Sequence, residues 1–234
     1  MRRLLLALAA GVALGAAVWS GFGGGTRPPA PAPVPEDEAL REARQVAAIL
    51  SLAAVCAHGG CEDTRFGTEV AEEALHQLTE PDPAFRDDCS GYVSAVFTAL
   101  GVPMDGVVIS LWDLAVIHDA LHWEEPPRLG DLVFFEKTYD RDLDELTHVG
   151  VVVDLLEDGT VIFAHAGTST GRKLGRLNVQ HPAEHQWDGV EVNSFLRNPH
   201  RGDAPGQRYL AGELWMAFAT VDPRLDWLSV PPPP

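Results

Sequence analysis

Bases, cysteines and long apolar runs are all scarce in this 234-residue chain. Seventeen lysines and arginines face 34 aspartates and glutamates, for a net charge of -17. Such a surface lacks the basic footprint that nucleic acids and anionic membranes require, and both are excluded as partners. There is no internal repeat. The apolar stretch from Leu4 to Trp19 falls short of the ~20 residues a spanning helix usually needs. Cysteine occurs only at 56, 61 and 89, and none stands near the end of that stretch as a lipid attachment point.

What is present begins with Met1-Arg2-Arg3, a short basic region before the apolar run. That order reads as an export signal over residues 1–20, cleaved or kept as an anchor. Both readings place the body in the periplasm or cell envelope. Residues 21–36, GFGGGTRPPAPAPVPE, are a glycine-rich joint and a proline-rich spacer suited to extended polyproline II. With 46% hydrophobic and 22% charged residues, the remainder suits one globular domain, here residues 37–222, followed by a proline-rich tail at 223–234.

An exported chain meets an oxidising compartment, where cysteine pairing matters. Cys56 and Cys61, in CAHGGC, are five apart with two glycines to turn the chain. They are the natural disulfide pair, with two free thiols as the alternative. Zinc held by Cys56, His58, Cys61 and His76 would fit no common ligand spacing. Cys89 is then the odd cysteine, and it stands behind two aspartates in DDCSGYVSAVFTALG.

Three helices are expected: Leu40 to Ala54 by apolar spacing, about Thr68 to Leu78, and the stretch containing Cys89. Asp87 or Asp88 can cap the third; Tyr92, Val93, Val96, Phe97 and Leu100 form its buried stripe, and Gly101 and Pro103 end it. Strands follow at 129–136, 147–156, 160–166, 189–195 and 214–221, with EDG as the turn into 160–166. Helices first and an antiparallel sheet afterwards make an α+β order.

A thiol is a nucleophile only as thiolate, and a helix N-terminus lowers its pKa. The Cys89 amide at such a start is an unpaired donor, suited to an oxyanion. His148, in THVGVVV, and His165, in VIFAHA, fall on strands joined by a short turn. His148 can then serve as base, with His165 orienting its ring. Either histidine alone reads as a satisfied strand residue; two on paired strands, beside an odd cysteine, point to catalysis. His118 and His122 are spaced for a helical metal pair, but lack the acid of metalloproteases and read as surface residues. Trp112, Trp123, Trp187 and Trp215 read as core or groove wall.

DCSGYVSAVFTALG, LGDLVFF, THVGVVV and VIFAHAG, in that order, resemble the NlpC/P60 cell-wall peptidases across residues 85–166. The resemblance implies a papain-like α+β fold, with the nucleophile helix packed on a small antiparallel sheet. It implies Cys89 as nucleophile, His148 as base, His165 as the third polar residue, and Asp88 and Ser90 as flanking substrate-site residues. The reaction implied is hydrolysis of an amide in a peptidoglycan stem peptide, often between D-glutamate and the diamino acid, without metal or cofactor. The alternatives are an idle domain of that fold that binds wall peptide or a partner, and a cysteine amidase with another substrate. Two departures stand out. The family's tyrosine shortly before the nucleophile is absent from 67–86, where Phe85 and Arg86 stand. An insert at 167–189 carries Arg172, Lys173 and Arg176, read either as a loop that holds a substrate carboxylate or as a solvated hairpin tip.

Overall fold

The structure, a computed structural model, describes residues 61–228 apart from 140–144, 169, 201 and 204, with backbone alone at 61–64. The export segment, spacer, first expected helix, Cys56, the Cys61 side chain and final prolines lie outside the described residues, and with them the expected Cys56–Cys61 pairing.

Helix α1 (Cys61–Thr79) is followed by α2 (Cys89–Ala99) and α3 (Val108–Ile117). The strands are β1 (Leu121–His122), β2 (Leu132–Glu136), β3 (Leu146–Leu155), β4 (Val161–Gly167), β5 (Gly171–Leu177), β6 (Gln186–Trp187), β7 (Val190–Glu191) and β8 (Trp215–Ala219), with the single-turn α4 (Ala211–Leu214) before the last. Six strands form one sheet in the order β1-β8-β2-β3-β4-β5, antiparallel throughout. Helices first and an antiparallel sheet afterwards give the α+β class expected of the sequence.

Alternation along the strands sorts the side chains into two cores. Leu132, Phe134, Val149, Val151 and Ala164 meet Tyr92, Val93, Val96 and Phe97 of α2, Val70 and Ala74 of α1, and Leu111 and Leu114 of α3. On the other face Val133, Phe135, Val152, Phe163 and Leu177 pack with Phe218 and with Ala211 and Leu214 of α4. The stripe expected of α2 is buried, apart from a half-buried Leu100.

Several expectations change. Residues 171–177 are strand β5, paired with β4 along its whole length, so much of the supposed insert loop belongs to the sheet. GRKLGRL has too few apolar residues to signal a strand; its backbone pairing makes it one, and its charges suit an exposed edge. The strand expected at 189–195 shrinks to Val190–Glu191, in a separate two-stranded sheet with β6. Packing also passes residue 222: Trp227 is buried in the helix-side core, its ring against His118 and its Nε1 donating to the Asp222 carbonyl at 3.0 Å.

Candidate active site

The N-terminus of α2 is built by Asp88, which has extended backbone and caps the helix. Its Oδ1 accepts the Gly91 N–H at 2.7 Å and the Ser90 hydroxyl at 3.0 Å. Its Oδ2 accepts the Arg86 Nε at 3.2 Å. Burial opposes ionisation of Asp88, but the Gly91 amide, the Ser90 hydroxyl and the Arg86 guanidinium outweigh it and lower the carboxyl pKa. Arg86 also donates to the Ser90 hydroxyl at 3.1 Å and to the Gly106 carbonyl, tying the cap to the turn before α3. Gly91 is required here, because a Cβ would lie 2.2 Å from the Arg86 carbonyl oxygen.

The cap presents Cys89 at the first turn, half-buried and free of any disulfide. Burial pushes its thiol pKa up, and the Asp88 charge adds to this; the amides of Val149, Ser90 and Cys89 itself favour the thiolate but do not prevail.

His148 enters from β3 beside a bulge, where the register shifts between Phe135 and Glu136 and Thr147 is skipped. Such bulges re-aim neighbouring side chains. Thr147 Oγ1 accepts the Thr138 N–H at 2.8 Å and holds the irregular turn. His165 comes from β4, and its Nδ1 lies 2.8 Å from His148 Nε2, with the two rings edge to face. Phe135 and Phe163 flank the pair. His148 is buried within this setting, and burial together with the Lys173 charge lowers its pKa to about 4. Burial pushes His165 well down too, aided by His148 and Lys173. His165 Nε2 is buried with no hydrogen-bond partner among the described residues.

Cys89, His148 and His165 line one cavity of about 520 Å³, together with Asp88, Ser90 and Lys173. The geometry thus gathers all five of the sequence-derived catalytic and flanking candidates, and Lys173, at one place. No hydrogen bond joins Cys89 to His148 among the described residues; the His148 contact is made to His165 instead. Arg172 is not brought to the cavity. Its guanidinium donates to the Gln77 carbonyl at 3.0 Å and to Asp87 at 3.3 Å, and lies over the Tyr92 ring. Arg176 is held by the Glu191 carbonyl at 3.3 Å.

Two features escaped the sequence reading. Tyr139 and Val107 stand exposed at the cavity mouth, and no local pattern marks either. At the opposite edge of the sheet His122 is not a surface residue: its Nε2 meets the buried Asp131 at 3.1 Å. Asp131 also accepts the Arg128 N–H at 2.7 Å and the Thr220 hydroxyl at 2.8 Å, fastening β1, β8 and β2. His118 ends α3 and contacts the Asp226 carbonyl at 2.8 Å, so the two histidines share no helix. Among the described residues no cluster of histidine, cysteine and acids could hold a metal ion, and no helix is long and apolar enough to cross a membrane.

No protein-family model matches the chain, and no curated protein matches it. Among solved structures it is similar to a Staphylococcus aureus protein described as similar to lipoprotein, of the NLP/P60 family. The identity is 25% and the TM-score 0.32, over 46% of this chain and 35% of that one. The match spans about a third of that protein's length.

Proposed function

We propose that this chain is an exported cysteine hydrolase of papain-like architecture that cleaves amide bonds in peptidoglycan stem peptides. One observation carries the reading: a free cysteine at a capped helix start shares a cavity with a hydrogen-bonded histidine pair.

The pair dictates the proton path. His148 uses Nε2 towards His165, so Nδ1 is the nitrogen left for the thiol. That route requires His148 protonated on Nε2, donating to His165 Nδ1, as a third residue fixes the tautomer of a catalytic imidazole. Burial holds thiol and imidazole neutral at rest. The Cys89 proton therefore passes to His148 as sulfur attacks the amide carbonyl, not before. The oxyanion is met by the Cys89 amide, one of the first-turn donors with no acceptor inside the helix. His148 returns the proton to the leaving amine, and water then hydrolyses the thioester and restores the thiol.

A neutral pair without a sulfur–imidazole hydrogen bond also favours a second reading, a domain that binds wall peptide without cleaving it. Incubation of purified peptidoglycan with wild type and Cys89→Ala, with fragments identified by mass, separates the two. New stem-peptide fragments from wild type alone are expected. Identical digests from both proteins, with wall binding retained, would establish the idle domain.

A further inference from the structure

We propose that Arg86 is the positioning residue of the Cys89 site: it braces the nucleophile turn against the start of α3 and offsets the Asp88 charge beside the thiol. The proposal rests on the hydrolase reading and adds to it a residue that acts on Cys89 through Asp88.

Arg86 is not among the residues lining the cavity, yet it holds two of the walls. Its Nε donates to Asp88 Oδ2 at 3.2 Å, and its Nη2 donates to Ser90 Oγ at 3.1 Å and to the Gly106 carbonyl. Ser90 Oγ in turn donates to Asp88 Oδ1 at 3.0 Å, so the three side chains close a ring of bonds around the first turn of α2. The far end of the brace is the start of α3, where Val107 supplies no side-chain cap. Val107 and Val108 line the same cavity as Cys89, so the bond to Gly106 sets that wall relative to the sulfur. The charge matters as much as the brace. The titratable groups lining the cavity are Asp88, Cys89, Tyr139, His148, His165 and Lys173. Asp88 is the one carboxylate among them, and its charge disfavours the Cys89 thiolate. Arg86 is the cation bound to that carboxylate. A lysine could supply the charge but not the planar fork that reaches three acceptors here.

Alkylation of Cys89 by iodoacetamide reads the thiolate and requires no peptidase activity: sulfur forms a bond to carbon and iodide leaves. Its rate against pH is to be measured by mass mapping of the Cys89 peptide in the full chain. In Arg86→Met the midpoint should move up by about half a pH unit, a reaction about threefold slower below the midpoint, on the scale of one partly exposed ion pair. In an Asp88→Asn background the same substitution should move it little, because the carboxylate that it unmasks is gone. Arg86→Lys should keep the wild-type midpoint and lose stability in urea, since the charge remains and the tie to Gly106 does not. An unmoved midpoint in Arg86→Met, or the same move in the Asp88→Asn background, overturns the proposal, as does an Arg86→Lys protein of wild-type stability. The midpoint can shift in a protein that cleaves no peptidoglycan, which would uphold the role of Arg86 at the thiol while rejecting the hydrolase reading. An active hydrolase whose midpoint ignores Arg86 would reject this proposal alone.

Discussion

His148 and His165 meet through ring nitrogens 2.8 Å apart, in a pocket where neither carries charge at neutral pH. The price is paid in acid. The His148 pKa drops from 6.5 to about 4 in the folded protein, so between those values the unfolded chain binds more protons. Stability therefore rises with pH across this window and is lost as pH falls. One such group accounts for about 2 kcal/mol between pH 6.5 and 5, at 1.36 kcal/mol per pH unit. Urea denaturation at both pH values should show wild type losing that much more than His148→Gln; equal losses would mean that the ring is not held neutral. The residue types were legible in the sequence, since two histidines on neighbouring strands and an odd cysteine at a helix start are local facts. Their contact was expected from the paired strands, but its geometry was not legible. It depends on the bulge that skips Thr147 and on the ring orientations set by Phe135 and Phe163.

At the scale of the element, α2 is positioned by its cap. Asp88 satisfies the Gly91 amide, one of the orphan donors of the first turn, and binds the arginine that ties the helix start to Gly106. Asp88→Ala should cost about 1 kcal/mol in urea denaturation, as loss of an N-cap generally does. Asp88→Asn should recover most of that loss. If Asp88→Ala is as stable as wild type, the cap does not hold the helix. A strong helix start, a buried stripe and a terminating glycine made this element readable without any tertiary information. β5 was the opposite case. Its polar residues resemble a loop, and only the exposed backbone edge of β4 makes a strand of them.

At the largest scale, the described residues form a six-stranded sheet between two apolar cores, with the candidate site near the start of α2 and the His122–Asp131 network towards the β1 edge. The helix-side core includes Trp227, beyond the expected domain end. Trp227→Ala should destabilise the fold by about 3–5 kcal/mol, the usual cost of removing a buried tryptophan. A loss below 1 kcal/mol in equilibrium urea unfolding would place that residue outside the cooperative unit. Its burial was hidden in the sequence because proline-rich neighbours suggested an unpacked tail.

By itself the sequence determined the α+β order, the helix that presents Cys89 and the β3–β4 pair that carries both histidines. These follow from short-range physics: a capping side chain, apolar periodicity and a turn between β-branched runs. Only the tertiary structure decided which side chains meet. Strand alternation on β5 sends Arg172 to the helices and leaves Lys173 beside His165. Both are adjacent bases in one short stretch, and a period of two assigns them to opposite faces only after the sheet has made that stretch a strand.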